Sequence, residues 1–176
     1  MKPLILISND DGIEAPGIRA LAARLASLGE MIVVAPDRER SAQSHALSLD
    51  RPLRAREREP GWWAVDGTPA DCAYLALMHL CPRKPDLLVS GINRGYNLGS
   101  DFFYSGTVAA AVEGAIRGVP SFAISMERGP AEGLGPASAR TATRSRSGPI
   151  CAARSISGSA APRSTSTTPT TPTAPR

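Results

Sequence analysis

The chain has 176 residues, of which 42% are hydrophobic, and a formal net charge of +4. Its length suits one domain with an apolar core. Residues 1–126 hold 13 Lys or Arg and 14 Asp or Glu, whereas residues 127–176 hold 7 and 2. Because the basic excess belongs to the C-terminal segment, the charge of residues 1–126 does not support polyanion binding there, and we expect no specific nucleic-acid partner.

The sequence also argues against a membrane or secreted protein. No stretch approaches the roughly 20 apolar residues that cross a bilayer. Lys2 is followed by only four consecutive aliphatic residues before Ser8, which is too few for a signal peptide. The three cysteines are odd in number and lack CxxC spacing, so they indicate neither a disulfide framework nor a zinc site. We therefore expect a cytoplasmic protein.

The first residues predict a buried strand that ends in an acidic loop. Leu4 to Ile7 are aliphatic, and the polar run 8–12 contains Asp10 and Asp11. In open α/β sheets, ligands bind at the carboxyl ends of the strands. Two adjacent carboxylates repel each other unless they share a cation, so Asp10 and Asp11 indicate a metal site. A plain turn is the alternative, since Asn, Asp and Gly are common turn residues.

The rest of residues 1–126 alternates between predicted helices and strands. After Gly12 we predict a helix from Pro16 to Leu28, a strand over 31–35 and a polar loop over 36–45. A short strand over 46–53, a charged loop over 54–61, a short strand over 62–65 and a helix from Thr68 to Leu80 follow. Residues 1–126 end with a strand over 87–90, a Gly- and Asn-rich loop over 91–99, a helix over 108–117 and a strand over 121–125. This alternation predicts an α/β protein with a Rossmann-like, doubly wound, mostly parallel sheet between helices.

Residues 127–176 differ in composition from residues 1–126. They contain no aromatic residue and no lysine, and consist mainly of Ser, Thr, Pro, Ala, Arg and Gly. So little apolar surface predicts disorder. We therefore divide the chain into a core, residues 1–126, and a low-complexity tail, residues 127–176. A native linker, a basic interaction tail and a frameshift in a GC-rich gene would each account for this composition.

Three predicted loops with oxygen-bearing side chains converge on the carboxyl edge of the sheet. Their oxygens form a set that suits Mg²⁺ or Mn²⁺ better than Zn²⁺. The set comprises Asp10, Asp11, Ser41 and Asn93. At a predicted helix start, the triplet 105–107 could hold an anion with backbone N–H groups and two hydroxyls. Helix capping by Ser or Thr explains the same triplet.

Taken together, these motifs resemble those of the SurE (survival protein E) nucleotidases. The matching motifs, in chain order, are Ser8-Asn9-Asp10-Asp11-Gly12, Ala35-Pro36-Asp37-Arg38-Glu39-Arg40-Ser41, Gly67-Thr68-Pro69-Ala70-Asp71-Cys72, Ser90-Gly91-Ile92-Asn93-Arg94-Gly95 and Ser105-Gly106-Thr107. The resemblance covers residues 1–126. It implies a cytoplasmic 5′-nucleotidase that uses one divalent metal ion, Mg²⁺ or Mn²⁺, per subunit to hydrolyse nucleoside 5′- and 3′-monophosphates.

The resemblance also implies roles for individual residues. The metal ligands would be Asp10, Asp11, Ser41 and Asn93, and the residues around the phosphate would be Asn9, Asn97, Ser105, Gly106 and Thr107. A metal-activated water would attack phosphorus, and Asp10 or Asp11 would accept its proton. The family's homodimers or tetramers exchange an extended C-terminal arm. Because residues 127–176 do not match that arm, we expect this chain not to form them.

Several interpretations remain open. A non-catalytic or inactive, truncated Rossmann-like nucleotide-binding module is the main alternative, although no GxGxxG motif follows the first strand. A phosphatase with a covalent aspartyl intermediate would need an Asp-x-Asp-x-Thr motif, whereas Asp10 and Asp11 are adjacent. His45 could donate a proton to the leaving oxygen or brace its loop. Tyr96, Phe102 and Phe103 could stack on a base or belong to the core.

Overall fold

The computed structural model describes residues 1–127, 139–143 and 152–155. The strands are β1 (Leu4–Ser8), β2 (Glu30–Pro36), β3 (Ala55–Glu59), β4 (Trp62–Val65), β5 (Leu87–Arg94), β6 (Ser121–Met126), β7 (Ala139–Thr143) and β8 (Ala152–Ser155). The helices are α1 (Pro16–Leu25), α2 (Pro69–Leu75), α3 (Asp101–Tyr104) and α4 (Gly106–Ile116), and a π-helical turn over Ala76–Leu80 continues α2. None of the helices in these ranges has the length and apolar character that a membrane span needs.

The eight strands of the described ranges form one sheet in the order β3-β4-β2-β1-β5-β6-β7-β8. Strands β4, β2, β1, β5 and β6 are parallel, and β3, β7 and β8 pair antiparallel. The chain builds outward from β1 in both directions, with β2 on one side and β5 on the other. Ligands of such sheets bind outside the carboxyl ends of the strands at this reversal. The predicted α/β fold is confirmed.

Helices cover both faces of the sheet. Side chains of successive strand residues point to opposite faces, so a strand in the middle of the sheet packs against helices on both sides. In β1, Leu4 and Leu6 pack with α2 and α4, whereas Ile5 and Ile7 pack with α1. All four side chains are buried. Burying one such side chain contributes about 1.5–3 kcal/mol. This two-sided packing holds the end of β1 rigidly.

The structure corrects the prediction for residues 46–61. Residues 46–53 form no strand, and the predicted charged loop contains β3, which pairs with β4 in a hairpin. Polar side chains hold the first segment instead: the backbone N–H and hydroxyl of Ser48 donate to Asp71, and the Thr68 hydroxyl donates to the Ala46 carbonyl. In β3 a charged sequence can be a strand because four of its five residues are exposed at the sheet edge.

The end of β5 also differs from the prediction, which places a loop from residue 91 onward. The strand continues to Arg94 through an irregularity between Ser90 and Asn93. Gly91 allows this path, since its φ is +136° and an added Cβ would lie 2.4 Å from the Ile124 carbonyl oxygen. Residues 101–104 form the short α3, which was not predicted, and Leu28 lies exposed beyond the end of α1.

Strands β7 and β8 lie within the segment whose composition predicts disorder. Their backbones pair antiparallel, β7 with β6 and β8 with β7. At these nine residues the structure differs from that prediction, because a ladder joins backbone groups and needs no apolar side-chain pattern. The rest of the predicted tail, residues 128–138, 144–151 and 156–176, lies outside the described residues.

Candidate metal and phosphate site

Asp10 is held in place by the start of α4. It is only 4% exposed, and the Thr107 hydroxyl donates a hydrogen bond to its Oδ1. The helix can approach this closely because residue 106 is glycine: an added Cβ would lie 2.9 Å from the Asp10 Cβ and 2.8 Å from Cγ of Pro69. Burial raises the pKa of Asp10, while the bonds from Thr107 oppose the rise.

Asp11 has a different environment, because one of its oxygens lacks a partner. Burial, followed by the adjacent charge of Asp10, raises the pKa of Asp11 to about 6, although the backbone N–H of Arg94 opposes this. Its Oδ2 is buried without a hydrogen-bond partner in the described part of the chain. A buried, unpartnered carboxylate oxygen beside a second carboxylate is a favourable position for a cation.

Asp10 and Asp11 line an open cavity of about 670 Å³ at the carboxyl ends of β1 and β5. Its acidic residues are Asp10, Asp11, Glu39 and Asp101, and its single basic residue is Arg94. The other lining residues are Ser41, Ala42, Gly95, Tyr96, Asn97, Asn93, Tyr104 and Ser105. The structure therefore brings all four candidate metal ligands to one acidic cavity, together with Asn97 and Ser105.

Hydrogen bonds orient the polar side chains of this cavity. The Ser41 hydroxyl donates to Glu39 Oε1 over 2.7 Å. The Asn93 side chain donates to the Gly95 carbonyl over 2.9 Å through Nδ2, which leaves its amide oxygen for other partners. Asn97 donates to the Ser125 hydroxyl over 2.7 Å. Ser41 thus points toward a carboxylate, and its oxygen can still accept or ligate.

Three of the predicted phosphate-site residues do not line the cavity. Asn9 is fully buried, and its side chain bonds twice to the backbone of Gly12, over 2.9 and 3.2 Å. Gly106 and Thr107 contact Asp10, as described above. In this structure the three residues shape the loop and the helix start behind Asp10. Their contact with phosphate stays a prediction.

Sequence reasoning missed three residues that line the cavity: Glu39, Asp101 and Tyr104. Glu39 shares a loop with Ser41, which is the one signal that could have indicated it. Tyr104 is 63% exposed, and Ser44 ties its helix to the loop by donating its hydroxyl to the Phe103 carbonyl. Of the aromatic side chains proposed to stack on a base, Tyr96 lines the cavity, whereas Phe102 packs against the core.

His45 lies outside the cavity and contacts α4. Its Nε2 lies 2.9 Å from Oε2 of Glu113, whose other oxygen accepts a hydrogen bond from Arg117 over 2.9 Å. Glu113 is only 3% exposed, and His45 is not among the residues lining the cavity. This contact supports the bracing interpretation, because it joins the loop over residues 37–45 to α4.

Fold and site together define a doubly wound α/β protein with an acidic, oxygen-lined site at the reversal of strand order. The family model described as "Survival protein SurE" matches residues 5–167. The chain therefore belongs to the SurE family, in agreement with the resemblance of its motifs.

Similar proteins share this part of the chain. "5′-nucleotidase SurE" of Pelobacter propionicus is 55% identical over 140 residues, which is 80% of this chain and 57% of that protein. The protein of the same name from Sorangium cellulosum is 59% identical over 132 residues, which is 73% of this chain and 51% of the Sorangium cellulosum protein. The crystal structure of SurE protein from Aquifex aeolicus is similar to this structure, with a TM-score of 0.67 and 51% sequence identity. The match covers 70% of this chain and 50% of the Aquifex aeolicus chain. The chain thus spans about half the length of the curated relatives it matches.

Proposed function

We propose that this site hydrolyses nucleoside 5′- and 3′-monophosphates to nucleoside and phosphate with the help of a divalent metal ion. The observation that carries the proposal is the buried Asp11 oxygen without a partner, next to Asp10 in a large acidic cavity. Two relatives that are 55% and 59% identical to this chain, over 140 and 132 aligned residues, bear the name 5′-nucleotidase.

The donor chemistry fits a hard divalent cation. The ligands we assign are Asp10, Asp11, Ser41 and Asn93, all of which offer oxygen. None of the described residues that line this cavity is a His or a Cys, which argues against a nitrogen- or sulfur-rich zinc site. When bound, Mg²⁺ or Mn²⁺ would polarise a phosphoryl oxygen and lower the pKa of a coordinated water.

The protein side chains position the substrate and move the proton. Thr107 keeps Asp10 fixed, and one of the two carboxylates, Asp10 or Asp11, would accept a proton from the attacking water. The Ser105 hydroxyl accepts from the Val108 N–H over 3.2 Å, so its own hydrogen can be donated to a phosphate oxygen at the start of α4. Tyr96 and Tyr104 offer faces for the nucleoside base.

Phosphate release from a nucleoside 5′-monophosphate, measured with Mn²⁺, with Mg²⁺ and with a chelator, tests this proposal. We expect turnover only with a divalent metal and a loss of several orders of magnitude in Asp11→Asn. Asp50→Asn, which removes an exposed carboxylate outside the cavity, is the matched control and should retain activity. Undiminished turnover after chelation would refute the proposal.

A second candidate function is a nucleotide-binding module that does not turn over its ligand. It is favoured by one observation, the match to only about half of the relatives' length. Metal-independent binding of a nucleoside monophosphate without phosphate release would support it. The cytoplasmic location, the division at residue 126 and the absence of the family's dimer or tetramer stay predictions.

A further inference from the structure

A second cavity, of about 490 Å³, lies beside the acidic one and has the opposite charge. Its charged residues are Arg38, Arg40, Arg51, Arg54, Arg56, Arg58, Asp37 and Asp66. Six guanidinium groups against two carboxylates give it a formal charge of +4. We call this cavity the arginine cavity.

Only part of this positive charge is neutralised by neighbouring groups. Asp37 lies 3.7 Å from Arg40 and 4.0 Å from Arg38, and Asp66 lies 3.3 Å from Arg51. In the described part of the chain, no carboxylate oxygen lies within 4 Å of the guanidinium groups of Arg54, Arg56 and Arg58. Like charges gathered in this way repel, so the arrangement is unfavourable without an anion.

Arg40 adds an independent indication that a ligand is missing. Its side chain is 21% exposed, and its Nε is buried without a hydrogen-bond partner among the described residues. Its NH2 group donates to the Asp66 carbonyl over 3.3 Å, so the guanidinium is fixed at the cavity wall. A buried N–H group of an arginine normally has an acceptor.

The loop after β2 separates the two cavities. Its residues Glu39, Ser41 and Ala42 line the acidic cavity, whereas Asp37, Arg38 and Arg40 line the arginine cavity. The Arg40 backbone N–H also donates to the Asp10 carbonyl over 2.7 Å, which ties this loop to the acidic site. The net charge of residues 1–126 is near zero because the acidic and basic residues of the two cavities cancel in the sum.

We propose that the arginine cavity binds a compact, multiply charged phosphate compound, with inorganic tripolyphosphate as the representative probe. Guanidinium groups match phosphate oxygens with paired, charge-assisted hydrogen bonds. Several converging arginines around one concave space suit a small ligand with adjacent phosphates. An extended nucleic acid would instead require a basic stripe along the surface. The site is separate from the proposed catalytic centre and needs no metal.

Isothermal titration calorimetry with tripolyphosphate, in the presence of EDTA, tests this proposal on the full chain. The decisive variant is Arg56→Gln/Arg58→Gln, because both side chains are exposed on an edge strand and neither has an ion-pair partner among the described residues. We expect the affinity of this double variant for tripolyphosphate to fall at least about tenfold, because charge-assisted hydrogen bonds to the phosphates are lost. Wild-type affinity should also decrease with added salt.

The matched control is Arg24→Gln/Lys84→Gln, which removes two exposed positive charges outside the cavity. It should bind tripolyphosphate within about twofold of wild type if the effect is local rather than due to net charge. Equal losses in both double variants, or unchanged affinity in Arg56→Gln/Arg58→Gln, would overturn the proposal. The second result would place the anion elsewhere, including on the basic segment 127–176.

Two further measurements separate this proposal from its rivals. A single-stranded oligonucleotide should bind more weakly than tripolyphosphate. Tighter oligonucleotide binding that is also lost in Arg56→Gln/Arg58→Gln would make the cavity part of a nucleic-acid surface and overturn the proposal. Nucleotide hydrolysis by the double variant should match wild type, so a failure of the proposed hydrolysis leaves the calorimetric result interpretable. A melting curve shows that the variant is folded.

Discussion

At the scale of single residues, Asp11 lowers the stability of the protein near neutral pH when no metal is bound. Its pKa is about 6 in the folded chain, because of burial and then the charge of Asp10, and its ordinary value is 3.8. A carboxyl whose pKa is raised on folding binds protons more tightly in the native state. Its unfavourable contribution is therefore absent below the ordinary pKa, grows as the pH rises, and is complete above about 6.

We accordingly predict that Asp11→Asn raises the melting temperature near neutral pH in EDTA. The amide carries no charge to be buried, whereas the wild-type carboxylate must ionise beside Asp10. The difference should shrink as the pH is lowered from about 6 toward 4. Thermal melts over this range measure it, with Asp50→Asn as control. A difference in melting temperature between wild type and Asp11→Asn that does not change with pH would contradict the prediction.

Thr107 is the second residue whose replacement should have a distinct effect. Its side chain is fully buried and donates to Asp10, so Thr107→Val removes the hydroxyl donor of a buried carboxylate. We expect a loss of about 1–3 kcal/mol in the free energy of unfolding. Thr107→Ser keeps the hydroxyl and should lose less. Urea unfolding in EDTA measures both, and a Thr107→Val variant as stable as wild type would contradict the role assigned to this hydrogen bond.

At the scale of elements, the packing of α4 against the acidic loop depends on Gly106. In Gly106→Ala the new Cβ would meet Pro69 and Asp10 at less than 3 Å, so the helix start must shift. We predict a destabilisation of about 1–3 kcal/mol and a loss of metal-dependent turnover. For stability, Ser105→Ala is the comparison, since it introduces no clash at the helix start and its loss of the cap on Val108 should cost about 1 kcal/mol. Full activity in Gly106→Ala would show that the helix start tolerates the shift.

The elements also show which features of a sequence predict structure. Aliphatic runs predicted β1 and β2, and the Thr68 and Pro69 pair predicted the start of α2, because these signals are local. The assignment over residues 46–61 was wrong, because Asp71, distant in sequence, supplies the hydrogen bonds that hold residues 46–48. The path of β5 beyond Ser90 likewise depends on its neighbour β6, which a single segment does not reveal.

At the scale of the whole molecule, a divalent ion bound at the proposed site should raise the stability of the folded chain. A ligand that binds only the folded state stabilises it according to its concentration and affinity. We predict that Mn²⁺ raises the melting temperature of wild type, that EDTA reverses the rise, and that Asp11→Asn shows little change. Differential scanning calorimetry measures this without any substrate. A shift of equal size in Asp11→Asn would remove that residue from the metal site.

The candidate site was predictable in composition but not in arrangement. The motifs indicated that Asp10, Asp11, Ser41 and Asn93 converge, and the structure places all four on one cavity. No pattern in the sequence separates residues that line a cavity from those that support it. Asn9 and Thr107 carry suitable polar groups, yet both direct them to protein partners, because the backbone turn and helix start bring Gly12 and Asp10 within reach.

The edge strand β3 has one further consequence, which concerns association between molecules. An unpaired strand edge can template pairing with another chain, and charged side chains oppose this. The sequence of β3, Ala-Arg-Glu-Arg-Glu, carries charge at four of five positions, all exposed. A second copy that aligned antiparallel or parallel on this edge would have to desolvate those charges. The residues that line the arginine cavity therefore also protect the sheet against growing from one molecule into the next.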